Sequence, residues 1–179
     1  MANPLYGQNK ADDLLDGVKN NQAIIDKTVV KSSVAITITA AANSDGTVAQ
    51  PAGTTLMSVI ISPQTIITTA GNSGDDLDFS MGTSAGGAQI LAAKAILDDG
   101  GAAVSLAAGG AYEVISSGLG QAANAFVGLG TATSEASPVV GALYSAAARD
   151  VHFRFTPLAN NLAVTGTVDV ICTFVKTNA

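Results

Sequence analysis

The feature that most constrains this chain is the alternation near its end. From Val168 onward, Val168, Val170, Cys172 and Phe174 fall on one side of an extended backbone, and Asp169, Ile171, Thr173 and Val175 on the other. A period of two held over eight residues, rich in β-branched types, predicts a strand over 165–177. Both sets are largely apolar, so this strand is expected inside a sheet with something covering each face.

Similar signals recur along the chain. Residues 34–39, 56–61, 65–69, 77–81, 104–106, 111–115 and 151–156 read as further strands, the last with Val151, Phe153 and Phe155 inward and His152, Arg154 and Thr156 outward. Residues 43–46 (Asn43, Ser44, Asp45, Gly46) carry a turn signature in which Gly46 supplies a positive φ. Pro51 and Gly53 mark a loop, and Pro63 ends the second strand because proline cannot donate to a ladder. Residues 88–97 are ambiguous. Ile90, Lys94 and Leu97 would share a helix face, whereas Ile90, Ala92, Lys94 and Ile96 would line a strand. The regular spacing of strands on either side favours the strand. About eight short strands, with turn signals every ten or so residues, predict an all-β fold: an antiparallel β-sandwich or jelly-roll-like barrel.

Two stretches stand apart. Residues 1–31 hold four of the eight basic residues and only scattered apolar ones, with Leu14, Leu15 and Val18 able to share a side of one or two helical turns. Gly17 opposes that helix, and isolated helices so short are marginal in water. An extended N-terminal arm over 1–31 is therefore expected, ordered by contact with a partner, ahead of a β-rich body over 32–179. Residues 116–148 are Gly/Ala/Ser-rich, with Phe126, Val127, Val139, Val140, Leu143 and Tyr144 as the larger side chains. That composition predicts a long excursion with short helical pieces, packed on the body or on a neighbour.

Charge limits the partners. Only 12% of the 179 residues are charged, and the net charge is −6. The four acids and four bases up to Lys31 cancel, so all of the excess lies in the body, where ten acids face four bases. An acidic body argues against nucleic acid, which needs clustered Lys and Arg, and against anionic membrane surfaces. Sparse charge protects a surface poorly against association, so much of it is expected to be covered, in a homo-oligomer or a larger assembly. No run approaches the ~18 apolar residues of a membrane span, and the first residues lack a basic-then-apolar leader, so synthesis in a cytoplasm without secretion is expected.

Residues with chemical potential are few. His152 is the only histidine, and a triad or His-ligated zinc site would need it together with a nucleophile or further ligands. Its setting reads as an ordinary surface or interface histidine. Asp75, Asp76 and Asp78 form the densest carboxylate group, and Asp98 and Asp99 could share a calcium site with them, although the EF-hand order is missing. The plainer reading is solvated turn residues. A glycosidase pair would ordinarily come with aromatic sugar platforms, and this chain has no Trp. Gly82 to Gly87 and Gly128 to Gly130 match neither a phosphate loop nor a dinucleotide fingerprint. Cys172, the single cysteine, is expected as a buried thiol. No catalytic, cofactor-binding or metal-binding residue is assigned, and an enzyme is not expected.

The opening Met1-Ala-Asn-Pro-Leu-Tyr-Gly-Gln-Asn-Lys-Ala-Asp12 resembles the start of small structural proteins of tailed phages, especially those of marine and cyanobacterial hosts. The ending Leu162-Ala-Val-Thr-Gly-Thr-Val-Asp-Val-Ile-Cys-Thr-Phe-Val175 is similar to their terminal strand, and Phe79-Ser-Met-Gly-Thr-Ser-Ala-Gly-Gly-Ala-Gln-Ile-Leu91 is similar in style. Together these cover about a quarter of the chain. The resemblance implies a capsid decoration (cement) protein: an arm and a β-rich body, often a homotrimer, bound to the major capsid protein on the virion exterior, without catalytic residues. A head-fibre, tail-associated or receptor-binding structural protein is the alternative, and a hydrolase or sugar-binding module is the third reading.

Overall fold

The computed structural model describes residues 29–69, 77–97, 105–115, 140–157 and 164–176. In chain order these form β1 (Val29–Ile38), β2 (Ser44–Gln50), β3 (Thr54–Pro63), β4 (Ile67–Thr68), β5 (Leu77–Gly82), β6 (Leu91–Leu97), β7 (Ser105–Leu106), β8 (Tyr112–Ile115), a one-turn helix α1 (Val140–Leu143), β9 (Tyr144–Ser145), β10 (Arg149–Pro157) and β11 (Gly166–Lys176).

The strands make two antiparallel sheets. One runs β1-β11-β3-β8, with β9 also on β3, and the other β2-β10-β5-β6; β4 and β7 form a small ribbon. The pairing is nested: β1 with β11, β2 with β10, β3 with β8, and β5 with β6. Two further pairings, β11 with β3 and β10 with β5, join these nested pairs within each sheet. This is a long hairpin folded over on itself, the strand order of an eight-stranded jelly roll with two Greek keys. The expected all-β sandwich is thus the observed fold.

Period-two alternation explains why these residues form these strands. In β11, Val168, Val170, Cys172 and Phe174 are fully buried while Asp169, Ile171, Thr173 and Val175 are half-buried on the outer face. β11 is an inner strand as expected, between β1 and β3. β10 places Val151, Phe153 and Phe155 inward. Four of the five phenylalanines meet in the core: Phe79 lies 4.9 Å from Phe155 and 6.1 Å from Phe153, ring centre to ring centre, and Phe174 enters from the other sheet. In a chain this poor in aromatics, these rings are the largest fully buried side chains of the core.

Several details differ from the sequence reading. The reversal after β1 falls at residues 39–43, where Ala41 adopts φ 55° and the Ala42 amide donates to the Thr39 carbonyl at 3.3 Å. Ser44, Asp45 and Gly46 are not that turn; they open β2, with the Ser44 hydroxyl accepting from the Thr39 amide at 3.1 Å. Gly46 is required for packing rather than for φ, because a β-carbon there would stand 2.5 Å from Cδ1 of Ile36. That close approach brings the β1 and β2 edges together and closes one side of the sandwich. Residues 65–69 yield only the two-residue β4. β1 begins at Val29, so the last residues assigned to the arm already lie in the sheet. Within residues 88–97, Leu91–Leu97 form the strand β6 while 88–90 do not, and a short helix does occur in the Gly/Ala-rich excursion. Residues 1–28 and 116–139, which hold most of the arm and of that excursion, lie outside the described residues.

Phe174→Ala should lower unfolding stability by roughly 3–5 kcal/mol through the cavity it leaves. Gly46→Ala should cost about 1–3 kcal/mol by pushing Ile36 off its rotamer. Thermal or denaturant unfolding reads both, and a Gly46→Ala protein as stable as the parent would show that the β1–β2 contact is loose.

Candidate functional surface

Two groups of polar residues stand out in the described body. The first lies on the outer face of the β2-β10-β5-β6 sheet. Alternation along β10 turns His152, Arg154 and Thr156 outward, and register sets His152 between Thr47 and Gly82, Arg154 between Asp45 and Ser80, and Thr156 beside Asp78. Arg154 donates from Nε to Asp45 Oδ1 at 2.7 Å and from Nη2 to Oδ2 at 2.8 Å. The pair is a bidentate fork with 29% and 45% of the two side chains exposed, so it contributes about 0.2–1 kcal/mol. The hydrogen bond from Arg154, more than its charge, holds the Asp45 carboxyl below the usual carboxylate range.

The loop after β5 folds back over this face. The Ile90 amide donates to the Met81 carbonyl at 3.0 Å, and the Thr83 amide donates to Oε1 of Gln89 at 3.1 Å. A β-carbon at Gly86, where φ is +69°, would stand 2.4 Å from Nη1 of Arg154. Glycine therefore serves twice here: it takes the left-handed backbone and lets the loop rest on the guanidinium. The Gly82 to Gly87 stretch is a turn, as its sequence indicates.

The second lies where the chain returns to the body after the excursion. Gln50 is fully buried; its Nε2 donates to the carbonyls of Thr54 and Leu143, each at 2.9 Å, and its Oε1 accepts from Nε of Arg149 at 2.9 Å. Arg149 also donates from Nη2 to the Ala142 carbonyl. One amide and one guanidinium thus satisfy two carbonyls of α1, which the helix itself leaves without partners. Desolvation lowers the Arg149 pKa. The arrangement anchors α1 and β9 against β3; it presents no nucleophile and no open ligand position.

Each residue singled out by sequence has a clear outcome. His152 is half-buried on the outer face, and no side chain among the described residues hydrogen-bonds to it in the manner of a triad. Cys172 is buried, and desolvation pushes its thiol up to about 12, far from thiolate reactivity at neutral pH. Asp78 is half-buried, and desolvation raises its carboxyl above the usual range. Asp75, Asp76, Asp98, Asp99 and residues 128–130 lie outside the described residues. Among the described residues, no three His, Cys, Asp or Glu side chains are grouped as a metal site, and no helix is long and apolar enough to cross a membrane. Sequence reasoning missed both clusters. Asp45 was hidden in an apparent turn, and Gln50 lay at the edge of a supposed loop, although its place one residue before Pro51 was a usable sign of a strand end.

Comparison of the chain with protein-family models, with curated proteins and with solved structures returns no match.

Gln50→Leu should destabilise the body by about 1–3 kcal/mol, since it strands the Leu143 and Thr54 carbonyls and an Arg149 donor. Denaturant unfolding measures it, and an unchanged midpoint would mean water replaces the amide.

The two aspartates predict opposite pH effects. Asp45, with a lowered pKa, contributes stability that is present above its ordinary value of 3.8 and lost as pH falls through its folded value. Asp78, with a raised pKa, makes the fold more stable in acid and less so as pH rises past 3.8 toward its folded value. Asp45→Asn should therefore lower, and Asp78→Asn raise, the melting temperature at neutral pH, both converging on the parent in acid. Melting scans of the three proteins across pH test this.

Proposed function

We propose that this chain is a virion structural protein: a tailed-phage capsid decoration (cement) protein that binds the outside of the major capsid shell and stabilises it, working as a homotrimer. The observation that carries the reading is the strand order. β1-β11-β3-β8 facing β2-β10-β5-β6 is the jelly roll, an architecture used by viral capsid and lectin domains. Fold alone does not give function. The sequence resemblance at residues 1–12, 79–91 and 162–175 tips the reading toward the capsid.

Composition supports the same side. A body whose only charged side chains are ten acids and four bases is ill suited to staying dispersed, and a shell-bound trimer covers much of its surface. On the described outer face Asp45 and Arg154 are engaged in holding β2 to β10. On this reading the protein is made in the host cytoplasm, resides on the virion exterior, works without catalysis, and uses residues 1–31 as an arm on the shell.

Purified chain mixed with shells of the major capsid protein should bind saturably and raise the temperature at which the shells come apart. Deleting residues 2–20 should weaken that binding while leaving the melting of the body nearly unchanged. Failure to bind shells, together with binding to host cells, would replace the proposal with an adhesive role. A positive glycan array or hydrolase panel would replace it with a sugar-directed one.

A further inference from the structure

Among the described residues, the sandwich has one closed side and one open side. On the closed side Gly46 of β2 lies against Ile36 of β1. On the open side β6 ends its sheet, and the edge away from β5 has no strand partner among the described residues. An unpaired edge is a row of unused amide donors and carbonyl acceptors, and natural edges are ordinarily blunted by short length, charge, proline, bulges or a covering element. β6 carries one charged residue, Lys94, and no proline. Its register against β5 shifts between Leu77 and Asp78 and again between Phe79 and Met81, leaving Lys94 and Ala95 as the consecutive ladder pairs between the shifts. Only that short stretch of the ladder is regular, so a strand that adds there is short.

The chain before β1 contains a segment of that size. Residues 23–26 are Ala23, Ile24, Ile25 and Asp26, with the only adjacent β-branched pair before Thr28. Asp26 is followed by only two residues before β1 begins at Val29. Three residues reach at most about 11 Å. β1 lies on the closed side beside β2, and β2 and β6 are three strand spacings apart, about 14 Å before the further step to a strand beyond β6. The segment therefore cannot reach the open edge of its own chain.

We propose that residues 23–26 of one copy add as a short strand to the open edge of β6 in a neighbouring copy, with Asp26 answering Lys94. Backbone hydrogen bonds supply the affinity and the opposite charges help set the register. Two β6 edges joined about a two-fold axis centred on Lys94 would instead set the two lysines opposite each other, which disfavours that alternative. Donor and acceptor surfaces differ, so the contact is head-to-tail and generates a closed ring when the rotation between copies permits. The inference concerns how copies join and is independent of what the assembled protein binds.

The test uses the full chain in the absence of any capsid. An Asp26→Cys protein is mixed with a Lys94→Cys protein and treated with a short bis-maleimide, whose span tolerates a one-residue slip in register; Cys172 is buried and does not interfere. Covalent dimers containing one chain of each kind should exceed same-variant dimers several-fold. In sedimentation, Lys94→Glu should weaken self-association several-fold, and adding Asp26→Lys in the same chain should restore it. The proposal is overturned if mixing brings no excess of mixed dimers. It is equally overturned if a doubly substituted chain links to itself, if the charge swap restores nothing, or if the parent chain is a monomer at high concentration.

Discussion

The structure depends on β11 lying between β1 and β3. This last described strand pairs with β1 along the whole of β1, from Val29 opposite Val175 to Ile38 opposite Gly166, and with β3 from Pro63 to Thr54. It fills the centre of its sheet and sends Val168, Val170, Cys172 and Phe174 into the core. Until it arrives, β1 and β3 have no common neighbour and the sheet is two unpaired edges. Closing it joins residues more than a hundred positions apart, a loop-closure cost met before the contacts repay it. Such topologies fold slowly, with exposed edges along the way. Local bonds hold the join once made: the Gln64 amide donates to the Thr167 carbonyl at 2.8 Å, the Thr167 amide donates to the Thr65 hydroxyl at 3.0 Å, and Nε2 of Gln64 donates to Asp169 Oδ2 at 2.7 Å.

The second sheet repeats the scheme with β10 between β2 and β5, and here the outer face is used differently. Part of its charge is spent on stitching. Asp45 and Arg154 tie β2 to β10 and Gly86 lays a loop on the guanidinium, while at the inner edge buried Gln50 with Arg149 fastens α1 where the chain rejoins the body. Whatever specificity it has must come from shape, edges and the segments that leave the sandwich.

Much of the fold was legible from residue order because a half-buried strand imposes its own period. The alternations in β10 and β11, the proline after β3 and the turn after β5 announced themselves. The surface clusters were not legible. Arg154 could be placed outward, but nothing local says that Asp45, 109 residues away, sits opposite it. The amide of Gln50 likewise binds the carbonyl of Leu143 only because the nested hairpin returns the chain to that point.

By itself, then, the sequence determined that this is an all-β chain, which faces of its longer strands are buried, and that its charge is sparse and its body acidic. Those properties follow from side-chain pattern and composition, which act locally. The tertiary structure alone decided that Ser44, Asp45 and Gly46 begin a strand. Their turn-forming preference is weak beside seven residues of ladder with β10 and the close seat Gly46 provides for Ile36, while Ala41, with no turn signature, takes the left-handed bend. It also decided that 65–69 keeps only two paired residues, because the Thr167 carbonyl captures the amides of Gln64 and Thr65 and bends the chain away before a longer ladder can form. Where a backbone group has a choice of partners, the chain's own preference is worth a fraction of a kcal/mol, and the neighbour that tertiary packing supplies decides.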